Sequence, residues 1–315
     1  MSAITATPAP GASERPDILK VWFQAVRFFS FTASAIPIFV GSALALVWQS
    51  FDWVLFLAMA IASIACHAGA NLANDYFDHT KGVDNDDSLG PSKVIQLGYL
   101  SAQQVLHGAI VAFSLATVLG LYIVYRTGWE VLALALASLG AAIFYTGGPK
   151  PLGYVALGEL TVFLAMGVGM VMGAFYVHTG MVNWESFLLS LPISGLVAAI
   201  LHVNNIRDID FDRHAGKLTT ANMLGRAWAN REYAVLVGLA YVAVLALVAY
   251  ERSLWPVLIS LITMRVAIEL IRIVNSDSGP GELNLALRRT AGLHMSVGLL
   301  ITTGLIVRTI IDRYV

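Results

Sequence analysis

Charge is scarce in this chain. Only 12% of its 315 residues are Asp, Glu, Lys or Arg, where about 25% is usual for a soluble domain. That scarcity excludes an ordinary water-facing globule. The formal net charge of −1 excludes the basic surface that nucleic acid requires, so no nucleic-acid partner is expected. Cysteine is reduced to Cys66, which rules out an intrachain disulfide and leaves no redox signature. His67, His107, His178, His202 and His294 share no ligand spacing and read as interface or packing residues. A zinc or other transition-metal centre therefore fits poorly. A secretory signal is also lacking. The first sixteen residues, rich in Ala, Pro, Thr and Ser, read as a disordered tail, and the first apolar run begins only after Lys20.

What the chain has instead is apolar length. Hydrophobic residues make up 57% of it and mean hydropathy is +0.73. Segments near the ~20 residues a bilayer requires fall at 22–48, 53–76, 102–125, 129–147, 155–178, 186–206, 231–250, 254–274 and 291–311. The expectation is an all-α polytopic membrane protein, with nine transmembrane helices in a single bundle. Residues 1–17 form its tail and 18–315 the membrane domain. Of the 19 Lys and Arg residues, fourteen fall on the side of the N-terminus and four on the other, with Arg265 inside a segment. By the positive-inside rule the N-terminus and the even-numbered loops face the cytoplasm. The bilayer is thus one partner, and a bacterial inner (cytoplasmic) membrane the expected location.

The remaining charges are concentrated. NNIRDIDFDRHAGK, Asn204 to Lys217, places Asn204, Asp208 and Asp212 at i, i+4, i+8, one face of a helix. It ends a membrane-length segment, where an isolated Asp costs roughly 3 kcal/mol and usually marks function. NDYFDHTKGVD, Asn74 to Asp84, repeats the Asn-x-x-x-Asp pattern with Asn74 and Asp78. Both stretches fall on the cytoplasmic side by the loop charges. Asp, Asn and water are hard oxygen ligands that suit Mg²⁺, which binds through one or two carboxylates plus substrate phosphates. Two such faces flanked by Lys81, Lys93, Arg207, Arg213 and Lys217 suggest a receptor for Mg²⁺ and a diphosphate. Under an apolar bundle, that diphosphate would carry an isoprenoid chain.

Four stretches in register, NLANDYFDHTKGVD (71–84), GPSKVIQLG (90–98), YTGGPKPLGYVALGE (145–159) and NNIRDIDFDRHAGKLTTANMLGR (204–226), resemble the intramembrane aromatic prenyltransferase (UbiA) superfamily. Within it they are most similar to the branch acting on 1,4-dihydroxy-2-naphthoate. The resemblance covers all but the N-terminal tail. It implies an Mg²⁺-dependent transfer of a polyprenyl group from its diphosphate to that aromatic acceptor, with loss of CO₂ and diphosphate, on the way to menaquinone. It also implies that Asn74, Asp78, Asp84, Asp208 and Asp212 hold metal, with Asp78, Asp208 and Asp212 essential to catalysis. Asn74, Lys81, Lys93, Tyr145, Asn204, Arg207 and Lys217 are the expected substrate contacts. Gly82 stands where the general pattern has its third acid, which moves to Asp84. The naphthoate branch resembles this spacing.

Plainer readings stand beside these. Asp75, Asp86 and Asp87 read as solvated loop acids, and Lys93 and Lys217 as positive-inside residues. Glu159 either orients the acceptor hydroxyl or merely stabilises a helix N-terminus. Arg265 and Glu269, at i, i+4, most simply pair with each other. Gly167, Gly169 and Gly173 read as close-packing positions. The rival functions are the same fold with 4-hydroxybenzoate or homogentisate as acceptor, and a cation-coupled transporter. Transporter sites, however, lie near the membrane midplane rather than at its surface.

Overall fold

The computed structural model describes residues 17–80, 92–146, 152–214, 216–276 and 278–314. In chain order the α-helices are α1 (Ile18–Ala25), α2 (Thr32–Val47), α3 (Trp53–Thr80), α4 (Ala102–Thr127), α5 (Trp129–Thr146), α6 (Gly158–Val162), α7 (Met170–Thr179), α8 (Trp184–Arg207), α9 (Ile209–His214), α10 (Thr220–Leu224), α11 (Arg226–Tyr250), α12 (Met264–Asn275) and α13 (Pro280–Tyr314). A π-helical stretch, Phe163–Gly169, joins α6 to α7. Among the described residues there is no strand, only an isolated bridge between Val155 and Leu218. Seven helical spans among them are long and apolar enough to cross a membrane. The all-α, multi-pass expectation holds, because in hydrocarbon only helices satisfy every backbone group internally.

Two of the nine expected segments differ. The apolar run 22–48 is two elements, since Arg27 adopts φ +56° and separates α1 from the span Phe28–Val47. The run 254–274 is a 3₁₀ stretch, Arg252–Thr263, followed by α12. Pro256 lies in that stretch and cannot donate to a helical ladder.

The chain divides into two compact units. One draws on Met1–Phe28 and Ala68–Val111. There Val21 and Ala25 of α1 bury against Leu72, Val94, Leu100, Val105 and Ala109, while Ile18, Leu19 and Phe23 stay exposed. Polar ties fasten α1 and the turn after it. Gln24 Nε2 donates to Ser92 O at 2.6 Å, and Asn71 Nδ2 to Val26 O at 2.8 Å.

The other unit, Phe29–His67 and Ala112–Val315, is built around α8. This helix packs against α2, α6, the π-helical stretch, α7, α10, α11 and α13. Of its most apolar window 72% is buried within the protein, against 11% for α4, so α8 is core and α4 faces lipid. An Asn183–Ser186 capping box starts it, satisfying N-terminal N–H groups that have no partner in the helix. Small residues then let neighbours approach. A Cβ on Gly195 would meet the Leu236 carbonyl oxygen of α11 at 2.5 Å. A Cβ on Gly167 would overlap Ser194 of α8. Of the other expected close-packing positions, Gly173 meets Leu134, while the nearest neighbour of Gly169 is Leu164 of its own turn.

Three of the histidines pair with hydroxyls of neighbouring segments. His67 bonds Ser30 and Ser34, His178 bonds Ser42, and His294 bonds Thr32, as expected of packing histidines. Glu269 pairs with Arg289 at 2.9 Å rather than with Arg265, because α13 brings that guanidinium alongside.

The α8–α11 contact generates a prediction. Gly195→Ala forces two backbones apart and is expected to cost about 1–3 kcal/mol, whereas a Cβ on Gly120 of α4 meets nothing within 4 Å. Thermal unfolding in detergent should show a lowered midpoint for Gly195→Ala and none for Gly120→Ala. Equal midpoints would contradict the close approach.

Candidate active site

The second acidic stretch begins inside α8 and leaves it at a break. Asp208 caps the helix with φ −99° and ψ 13°, its N–H donating to Asn204 O at 3.1 Å. Helix α9 follows at once, and the Asp212 N–H donates to Asp208 O at 2.8 Å. The four-residue rhythm therefore survives the break. Asn204 Nδ2 lies 3.4 Å from Asp208 Oδ2.

Arg207 holds this row together. Its Nε donates to Asp208 Oδ1 at 2.7 Å and its Nη2 to Asp208 Oδ2 at 2.6 Å, a two-pronged fork. Nη2 also reaches Asn204 Oδ1 at 3.0 Å, and Nη1 donates to Asn284 Oδ1 of α13 at 2.5 Å. The two charged side chains are only 7% and 15% exposed, so the pair is a buried neutral unit tying α8 to α13. Asp212 is also buried and accepts from Lys217 Nζ at 3.1 Å. Burial pushes its carboxyl above the ordinary Asp value. The Lys217 ammonium opposes this, and the Asp208 carboxylate adds to it.

The first stretch repeats the device. Asn74 Nδ2 donates to Asp78 Oδ2 at 2.7 Å, one turn apart on α3. Asp75, expected to be solvated, is instead buried and accepts from Arg27 Nη2 at 2.5 Å. It faces α1, whose end presents a cation there. Lys93 holds φ +50°, a left-handed conformation costly for a residue with a Cβ. Lys81, Asp84, Asp86 and Asp87 lie outside the described residues, as does the side chain of Tyr145.

A cleft of about 380 Å³ is lined by Ile206, Arg207, Ile209, Asp210, Arg213, Arg226, Ser278, Pro280 and Leu283. Ile206 and Asp210 alternate with Asn204, Asp208 and Asp212 at two-residue offsets, so by helical geometry the cleft and the acid row lie on opposite sides. Only Arg207 serves both.

Sequence spacing did not disclose the partners of these groups. Asn284 lies 77 residues from Arg207, and no local pattern marks it. Nor did spacing link Glu159 to α8. Its Oε1 accepts from His202 Nδ1 and Asn205 Nδ2, both at 2.9 Å, and from Thr220 Oγ1 at 2.8 Å.

The site offers oxygen donors and cations. Among the described residues, no three His, Cys, Asp or Glu side chains stand close enough to hold a metal by themselves. Asp208 and Asp212 supply two carboxylates, a donor set that suits Mg²⁺ completed by substrate and water oxygens.

The model of the UbiA prenyltransferase family matches residues 34–285. The chain is 29% identical to the 1,4-dihydroxy-2-naphthoate octaprenyltransferase of Bacillus subtilis, covering 94% of this chain and 95% of that one. It is 32% identical to the enzyme of the same name from Mycobacterium tuberculosis, over 90% and 95% of the two chains. Its fold is similar to that of a UbiA homolog from Archaeoglobus fulgidus bound to GPP and Mg²⁺, with a TM-score of 0.61 at 14% identity, covering 90% and 99%.

The Arg207–Asp208 pair sets a measurable expectation. Arg207→Met leaves a buried carboxylate without its cation and should destabilise by about 3 kcal/mol. Adding Asp208→Asn should recover part of that loss. Additive effects in a thermal double-mutant cycle would contradict a coupled pair.

Proposed function

The chain belongs to the UbiA prenyltransferase family, and we propose that it transfers a polyprenyl group from polyprenyl diphosphate to 1,4-dihydroxy-2-naphthoate. Diphosphate and CO₂ leave, and the product is a demethylmenaquinol for menaquinone synthesis. The observation that carries this reading is the twice-built Asn–Asp pair. Asn74 bonds Asp78, and Asn204 lies against Asp208, each one helical turn apart. Each pair offers an amide and a carboxylate oxygen, donors that suit Mg²⁺ bound with a diphosphate. The names of the Bacillus and Mycobacterium relatives support the acceptor, and the GPP and Mg²⁺ bound by the Archaeoglobus homolog support the donor half.

In this mechanism Asp78 and Asp84 serve the first face, with Asn74. Asp208 and Asp212 serve the second, with Asn204. Mg²⁺, when bound, neutralises the diphosphate and stabilises the charge that develops on it as the allylic C–O bond ionises. Arg207 fixes the Asp208 carboxylate in a charge-neutral fork, and Lys217 does the same for Asp212. Lys217 is the more exposed of the two cations and the freer to turn to phosphate oxygens. Lys81 and Lys93 serve the phosphate from the first stretch, and Tyr145 the substrate beside it. The aliphatic bundle shields the allylic cation from water. The acceptor ring is activated by its own hydroxyls, so the protein's work is to bind, ionise and shield. The loop charges support a site on the cytoplasmic side, and the proposed location is the inner membrane.

The test uses purified protein in detergent. Asp78→Asn and Asp208→Asn should each abolish prenyl transfer while the protein still inserts and folds, and EDTA should do so reversibly. Full activity in either variant, or in EDTA, would sink the metal–diphosphate reading. Product mass from 1,4-dihydroxy-2-naphthoate, 4-hydroxybenzoate and homogentisate, each with a series of prenyl diphosphates, tests the acceptor. Only the first is expected to react, with a product lighter by CO₂ than simple addition. A product from another ring alone would move the assignment to that ring.

A further inference from the structure

The stretch GYVALGE, 153–159, takes no part in the mechanism above. Yet it carries the most tightly held polar group on α6. Glu159 is buried, its side chain 6% exposed, and its Oε1 gathers three donors from two other elements. His202 and Asn205 come from the last turns of α8, and Thr220 from the first residue of α10. The far nitrogen of His202 faces the Ala229 carbonyl oxygen at 2.8 Å, an acceptor only, so that nitrogen carries a hydrogen. Glu232 Oε2 stands 3.7 Å from it. Every donor of this cluster is used.

The same stretch grips the segment that ends in Lys217. The Leu218 N–H donates to Tyr154 O at 3.1 Å, and the Ala156 N–H donates to Leu218 O at 2.9 Å. Ala156 pays for this with φ +58°, a left-handed conformation unfavourable for alanine. On the other side, Asn222 Nδ2 donates to Lys217 O at 2.6 Å from within the Thr219–Asn222 capping box.

Residues 154–159 therefore hold two things at once. One is the last turns of α8 at His202 and Asn205; Asn205 adjoins Asn204 in the chain and lies three residues, about one turn, before Asp208. The other is the backbone on either side of Leu218, next to Lys217. From this geometry we infer that Glu159 is a positioning residue for the metal–diphosphate site: it sets the rotation of the last turn of α8 and the seat of Lys217, so that Asn204, Asp208 and Lys217 are presented together. This rests on the reading of those three residues given above. Glu159 itself need not touch substrate. An acceptor oxygen at this position is required because it must take three bonds. The other carboxylate oxygen of Glu159 is buried and has no hydrogen-bond partner among the described residues, a price that packing alone does not explain.

The experiment is calorimetric titration of the detergent-solubilised full chain with Mg²⁺ and an unreactive prenyl thiolodiphosphate, beside steady-state kinetics. Removing an outer support of a metal site typically weakens binding about 10- to 100-fold. Glu159→Ala should weaken ligand binding by at least about tenfold on that scale. The KM for prenyl diphosphate should rise in step, with the KM for the aromatic acceptor unchanged. Glu159→Gln keeps an oxygen for the three donors and should recover most of the affinity. A role in stability alone would lower the thermal midpoint and leave affinity intact, and that result would overturn the inference. Should Glu159→Ala not fold, Thr220→Val, which removes one of the three bonds, should still weaken binding measurably. Wild-type affinity there would equally overturn it. Asp208→Asn separates the two levels. If it loses binding while Glu159→Ala keeps it, only the positioning role fails. If Asp208→Asn binds as wild type, the site reading fails and the positioning role with it.

Discussion

A buried helix in an apolar surround has no water to satisfy its polar groups, and α8 meets that constraint at most of its polar positions, Asn205 Oδ1 being an exception. Ser190 and Ser194 return their hydroxyls to the carbonyls of Phe187 and Ser190. His202 and Asn205 bond Glu159, and Arg207 bonds Asp208, Asn204 and Asn284. The serines are satisfied within α8. His202, Asn205 and Arg207 instead draw on Glu159 of α6 and Asn284 of α13, and Glu159 in turn bonds Thr220 of α10, around the C-terminal end of the helix. The apolar half of the helix supplies the packing energy. Its polar end decides which neighbours sit where.

These polar contacts are not the cheapest way to fill space. Replacing a buried ion pair by well-packed apolar side chains is often neutral or stabilising by about 1–4 kcal/mol, whereas removing one partner costs about 3–5 kcal/mol. Glu159–His202 and Arg207–Asp208 are therefore poor evidence for stability. They are better evidence for a fixed arrangement, since any rotation of the last turn of α8 would strand several charges together. Gly167 and Gly195 matter for the same reason. They bring the π-helical stretch and α11 into close contact with the middle of α8.

Much of this was legible in the sequence because hydropathy and helical period are local properties. The spans and the Asn-x-x-x-Asp faces follow from residues within a few turns of each other. The errors share one cause. The run 22–48 averaged α1 into α2 because the break is a backbone conformation at Arg27, not a change in composition. The run 254–274 looked uniform because apolar content does not report a 3₁₀ backbone. Asp75 looked solvated because its partner, Arg27, is 48 residues away. Glu159 looked like a helix-end charge because its three donors lie 43, 46 and 61 residues on. The motif residues themselves were readable; the partners that hold them were not, since nothing in a one-dimensional pattern marks a contact between distant segments.

The pairing of each acid with a cation has a consequence for the proposed chemistry. Bare carboxylates at Asp208 and Asp212 would repel each other where burial already disfavours the charged form. Arg207 and Lys217 reduce that cost before any ligand arrives, though Asp212 stays raised above the ordinary carboxyl value. A diphosphate carried with Mg²⁺ is itself close to neutral, so its arrival would exchange partners more than add charge. Metal would face carboxylate and ammonium would face phosphate, with little net electrostatic work. Arg207 holds Asp208 by two bonds of a fork and is itself fixed by further bonds to Asn204 and Asn284. Lys217 holds Asp212 by one hydrogen bond to a rotatable ammonium. In the proposed chemistry the two cations would therefore suit different tasks: the guanidinium would keep its acid in place, and the ammonium would be free to turn to the leaving group.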